Sequence, residues 1–129
     1  MLKDKVIIIT GASSGIGRAT ALALAKLGAK LGLAARNYAA LSAVADQARQ
    51  LGAQAIAVPT DVTQKDQVAD LISEVLATFG RIDGLVNCAG VGVIRPIEQL
   101  TEEDIDRTYA VNTKGVIPVS YTHLTLPTI

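Results

Sequence analysis

The residues best placed to do chemistry are the glycines of Thr10-Gly11-Ala12-Ser13-Ser14-Gly15-Ile16-Gly17. They follow the apolar run Lys5-Val6-Ile7-Ile8-Ile9 and open a helical pattern from Arg18 to Leu27, so a strand runs into a glycine turn and then a helix. Such a junction aims backbone N–H groups and the positive end of a helix dipole at one spot, where a phosphate rests without a cationic side chain. Gly11 permits the turn, Gly15 lets the backbone approach the phosphate, and Gly17 lets the helix pack close to the sheet. Ser13 and Ser14 add hydroxyl donors, and Ile16 stands between the last two glycines. The spacing is G-x-x-x-G-x-G rather than G-x-G-x-x-G, and the expected ligand is a dinucleotide.

The end of the second predicted strand reads Ala34-Ala35-Arg36-Asn37. A carboxylate there would accept hydrogen bonds from a free ribose 2′-hydroxyl and repel a 2′-phosphate, whereas Arg36 offers a guanidinium fork to that phosphate. The expected cofactor is therefore NADP(H) in preference to NAD(H). Other reactive residue types find no such setting. Cys88 has apolar neighbours and no nearby cation, which reads as a small buried residue rather than a thiolate. His123 is the only histidine and has no partner in a motif. Tyr109 and Tyr121 are each followed four places on by a threonine, Thr113 and Thr125, and Ser120 stands beside Tyr121 without further company.

These groups need a scaffold, and the pattern supplies one of alternating strands and helices, the mark of a parallel sheet covered on both faces. Strands are predicted at about 5–10, 30–35, 53–58 and 84–87. The first helix ends at Gly28, and the second carries Leu41, Val44, Ala45, Ala48 and Leu51 at helical spacing before Gly52. Thr63-x-x-Asp66 reads as a capping box opening a third helix with the stripe Val68, Leu71, Ile72, Val75, Leu76 and Phe79, closed by Gly80. Thr101 with Glu102, Glu103 and Asp104 starts a fourth, its acids where the dipole favours them.

At 129 residues the chain is expected to form one domain. Half of its residues are hydrophobic and its mean hydropathy is +0.37, natural for strands buried on both faces. Twelve basic residues balance twelve acidic ones, which argues against nucleic acid and anionic membrane as partners. A single cysteine excludes an internal disulfide, and no signal peptide or long apolar run stands out, so the expected location is cytoplasmic.

Thr10-Gly11 to Gly17, Asn87-Cys88-Ala89-Gly90 and Val111-Asn112-Thr113-Lys114-Gly115 fall in the order found in the short-chain dehydrogenase/reductase family, which the chain resembles over about residues 4–117. The resemblance implies an α/β, Rossmann-like doubly wound parallel sheet, truncated after about four strands. It implies that Asp61 holds the adenine amino group and Val62 the ring through its backbone. Asn87, Ala89 and Gly90 would border the cofactor, with Cys88 in place of the family's second Asn. Asn112 would be the catalytic contribution, a member of the proton relay. The family's Ser and its Tyr-x-x-x-Lys would lie beyond this chain, so the fragment is expected to be inactive while its parent exchanges a hydride between NADP(H) and a ketone or secondary alcohol, 3-oxoacyl reductase-like members included. The parent is expected to be a homo-oligomer acting on a small-molecule carbonyl or alcohol. Residues 1–117 are expected to form the cofactor-binding half domain, and 118–129, where the family pattern breaks, a non-native or disordered tail. A non-catalytic NAD(P)-binding sensor and another Rossmann-type enzyme such as a methyltransferase are the rival readings.

Overall fold

A computed structural model describes residues 2–90, 97–99 and 101–114. Strands β1 (Val6–Thr10), β2 (Lys30–Ala35), β3 (Ala55–Pro59) and β4 (Gly84–Asn87) alternate with helices α1 (Gly15–Lys26), α2 (Tyr38–Gln50) and α3 (Lys65–Phe79). A 3-10 turn at Ile97–Gln99 precedes α4 (Glu102–Tyr109), which runs on as a wider π turn over Ala110–Lys114. The expected tail 118–129, with Ser120, Tyr121 and His123, lies outside the described residues.

The four strands form one parallel sheet in the order β3-β2-β1-β4. The chain builds outward from β1 to β3 and then crosses to the far side of β1, so the carboxyl ends of β1 and β4 lie together at the switch point. Alternation along β1 serves two cores. Ile7 and Ile9 join Leu31 and Leu33 of β2 against Ala21 and Ala25 of α1 and Leu41, Val44, Ala45 and Ala48 of α2. Val6 and Ile8 face the other way, with Ala34, Val58 and the α3 residues Leu71, Ile72 and Val75. Gly32 admits α3 to the sheet: a Cβ there would lie 2.6 Å from Val75 Cγ2 and 3.4 Å from Ile8.

Several boundaries differ from those expected. Helix α1 begins at Gly15 rather than Arg18, so two of the three glycines are helical and the turn is shorter. Strand β3 begins at Ala55, because Ala53 is still spent closing α2, its N–H donating to the Ala48 carbonyl at 3.1 Å. Leu51 lies past the end of α2 and is 44% exposed instead of completing the buried stripe. The Thr63-x-x-Asp66 capping box does not form. Gln64 is the N-cap of α3 and makes no side-chain cap bond, since Thr63 turns its hydroxyl back to Asp61. The box does form on α4, where Asp104 N–H donates to Thr101 Oγ1 at 3.1 Å and Thr101 N–H to Asp104 Oδ2 at 3.2 Å. No helix among the described residues is long and apolar enough to cross a membrane.

Candidate functional site

A cleft of about 670 Å³ opens over the carboxyl ends of the strands. Its walls come from four loops: Gly11 with Ser13–Gly17 after β1, Ala34–Asn37 after β2, Thr60–Val62 after β3, and Cys88–Gly90 after β4, with Val111 arriving from the π turn. The lining thus includes Gly11, Ser13, Ser14, Gly15, Ile16, Gly17, Arg36, Asp61, Val62, Ala89 and Gly90, all expected from sequence.

The glycine turn is built around two close approaches. Gly11 has φ +66°, and a Cβ on it would overlap the Cys88 carbonyl. A Cβ on Gly17 would overlap the Gly11 carbonyl oxygen and come within 3.1 Å of Ala12 Cα. Gly17 therefore lets α1 pack on its own turn, where the sequence suggested contact with the sheet. Beyond Gly15, with φ +55°, a Cβ would meet nothing within 4 Å, so the backbone there faces open cleft.

The start of α1 is left without side-chain satisfaction. Ser14 is its N-cap but makes no side-chain cap bond, and the first turn holds no acidic residue. By contrast the Asn37 carboxamide caps α2 by accepting from the Ala40 N–H at 3.1 Å. The first N–H groups of α1, unpaired within the helix and at the positive end of its dipole, meet the cleft beside two free-standing hydroxyls. This donor set fits an anion such as a pyrophosphate, and the open space beside Gly15 leaves the room for it.

Among the described residues, Arg36 and Asp61 are the charged side chains of the lining. Arg36 is exposed at the end of β2 and no carboxylate stands beside it in the wall. Asp61 follows β3, where the Thr60 N–H donates to the Ala35 carbonyl at 2.8 Å and ties the two loops together. Thr60 itself, 3% exposed, escaped the sequence reading; its hydroxyl donates to the Val58 carbonyl at 3.0 Å, a purely local bond that no motif signals. Buried Thr10 joins the β1 and β4 turns, its carbonyl accepting from the Cys88 N–H at 3.1 Å and its Oγ1 from the Ala89 N–H at 3.4 Å. Cys88 is half-buried rather than buried, packed beside the α1 and α2 core with one side on the cleft.

Asn87 and Asn112 stand apart from the lining. Asn87 is exposed and in register with Thr10 on β1. Asn112 lies in the π turn, its carboxamide oxygen 3.3 Å from where a Gly90 Cβ would be, so the absence of that atom seats Asn112 against the β4 turn. Val111, its neighbour, is the residue that reaches the cleft and was missed, because a helical apolar residue looks the same in sequence whether it faces core or ligand. Among the described residues no cluster of His, Cys, Asp and Glu is arranged to hold a metal.

Known proteins share this fold. An uncharacterized oxidoreductase of Listeria monocytogenes is 40% identical over 116 residues, 90% of this chain and 47% of that protein. The crystal structure of an NAD+-bound xylitol dehydrogenase superposes with a TM-score of 0.88 at 34% identity, covering 93% of this chain and 46% of the other. An alcohol dehydrogenase from the archaeon Thermococcus sibiricus, complexed with 5-hydroxy-NADP, superposes with a TM-score of 0.86 at 38% identity, covering 93% and 52%. The chain therefore spans about half the length of the proteins it matches. The sequence pattern described as short chain dehydrogenase matches residues 5–127, and with the sheet order, the glycine turn and the Asn-Cys-Ala-Gly turn in place, the chain belongs to that family of NAD(P)-binding oxidoreductases.

Proposed function

We propose that this chain is the cofactor-binding half of an NADP(H)-dependent reductase that interconverts a ketone and a secondary alcohol, 3-oxoacyl substrates being one class within reach. The observation that carries the cofactor preference is the wall after β2, where Arg36 is the only charged group and no acid stands to meet a free 2′-hydroxyl. When bound, the nicotinamide supplies the hydride exchange, and the protein supplies orientation and a proton path. The open N–H groups of α1 with Ser13 and Ser14 hold the pyrophosphate, Asp61 and Val62 the adenine, and Ala89 and Gly90 border the opposite wall. Asn87, in register with Thr10 on β1, supports the sheet from outside the cleft lining. Asn112, seated against Gly90, is this chain's member of the proton relay. The same reading makes residues 1–117 the nucleotide-binding unit, the parent a cytoplasmic homo-oligomer, and the 129-residue chain competent to bind but not to turn over.

The test is Arg36→Ala. A charge-assisted hydrogen bond contributes about 1.5–3 kcal/mol, so NADPH should bind roughly ten- to a hundredfold more weakly while NADH binding stays within about twofold. Titration by nicotinamide fluorescence reads both. Equal losses for the two nucleotides would remove Arg36 from the 2′-phosphate site.

A further inference from the structure

Asp61 is the cleft's one carboxylate among the described residues, and it is held in place from both sides. Thr63 donates twice to its Oδ1, from the backbone N–H at 3.0 Å and from Oγ1 at 2.7 Å. The backbone N–H of Asp61 in turn donates to Gln67 Oε1 at 2.8 Å. Gln67 sits in the first turn of α3, next to Val68, which is 1% exposed and anchors that turn in a small core with Val62 and Val111. Through Gln67 the loop takes its position from a packed helix, and through Thr63 the carboxylate takes its direction from the loop.

The division of acceptors is the informative part. Oδ1 receives both Thr63 donors, and among the described residues nothing donates to Oδ2. A carboxylate fixed by one oxygen presents the other along a set direction, as a single acceptor without donor capacity. That geometry suits a ligand amino group and penalises a carbonyl oxygen at the same place. Neither Thr63 nor Gln67 lines the cleft; Thr63 faces an adjoining hollow with Glu102, Glu103, Asp106 and Arg107.

We infer that Thr63 and Gln67 are positioning residues that aim Asp61 and so make the site selective for a 6-aminopurine over a 6-oxopurine. The inference rests on the cleft being a dinucleotide site and adds to that reading the residues that set its base selectivity. Both side chains are exposed, so their removal leaves the two cores untouched.

The experiment compares binding of NADPH with that of its hypoxanthine counterpart, in which a ring carbonyl replaces the amino group, using the 129-residue chain and its Thr63→Val, Thr63→Ser and Gln67→Ala variants. The unsubstituted chain should prefer NADPH by about tenfold, the effect of one charge-assisted bond. Thr63→Val and Gln67→Ala should each bring that ratio below about threefold with thermal midpoints unchanged, and Thr63→Ser, which keeps the hydroxyl, should retain it. If the unsubstituted chain discriminates and both variants do so equally well, or lose the two nucleotides in parallel, the positioning role is overturned while the cleft assignment stands. If the unsubstituted chain binds neither nucleotide, or both alike, the reading of Asp61 falls and takes this inference with it.

Discussion

A methyl group at position 15 and one at position 17 probe different physics within the same turn. At Gly15 the space is open and only the left-handed backbone resists, so Gly15→Ala should cost about 1–2 kcal/mol in urea unfolding. At Gly17 the added carbon strikes the Gly11 carbonyl, and relief requires moving the turn that meets Cys88. Gly17→Ala should cost about 1–3 kcal/mol from overpacking and also weaken NADPH binding at least tenfold, as read by titration, because the displaced atoms line the cleft proposed to hold the nucleotide. At this scale much was legible from sequence. Gly11 and Arg36 declare themselves as cleft residues through backbone freedom and charge at a strand end, and Asp61 only through the family resemblance. Thr60, Val111 and the bonds from Thr63 and Gln67 do not, since each depends on which way an ordinary side chain turns once neighbouring loops have met.

Among the elements, the short link between α3 and β4 carries a charge pair with a consequence for pH. Asp83 Oδ2 accepts from the Val6 N–H at 2.9 Å, and Arg81 donates to Oδ1 from Nε at 3.1 Å and from a terminal nitrogen. The Arg81 hydrogen bond, with smaller help from the Val6 N–H, holds the Asp83 carboxyl below its ordinary value of 3.8. A lowered native value means that the bond's contribution is fully present above the unfolded value and is lost as pH falls through the folded one. Urea midpoints should therefore drop more steeply for the unsubstituted chain than for Asp83→Asn as pH is taken from about 5 to below the usual carboxylate range. A parallel decline would show that Asp83 contributes nothing to acid stability. Elements themselves were well signalled by periodicity, and the misplacements have local causes. Thr63 chose Asp61 over the start of α3, and Gly15 and Gly17 entered a helix despite their poor propensity because the turn needs a left-handed backbone at the first and the missing side chain at the second.

At the scale of the molecule, β1 is the strand on which everything converges. It pairs with β2 on one side and β4 on the other, feeds both cores through alternate residues, and ends in the turn that begins the cleft. The parallel order was legible because strands and helices alternate, and the family's motifs fixed which carboxyl ends meet. Chemistry divides differently. Neither Tyr109 nor Tyr121 has a lysine four residues on, so the isolated chain should bind NADPH and leave nicotinamide absorbance unchanged over hours with simple ketones. Steady oxidation would mean that a group other than the family's tyrosine delivers the proton.

The contact of Gly11 with the Cys88 carbonyl joins residues 77 positions apart in the chain, counting from 11 to 88. A nucleotide bound as proposed would touch both sides of that seam, and would find its full set of partners only after β4 has docked on β1. Occupancy and sheet completion would then be linked equilibria. Added NADPH should raise the unfolding midpoint by mass action, as any ligand specific to the folded state does. Its binding curve would then also count how many molecules have finished folding.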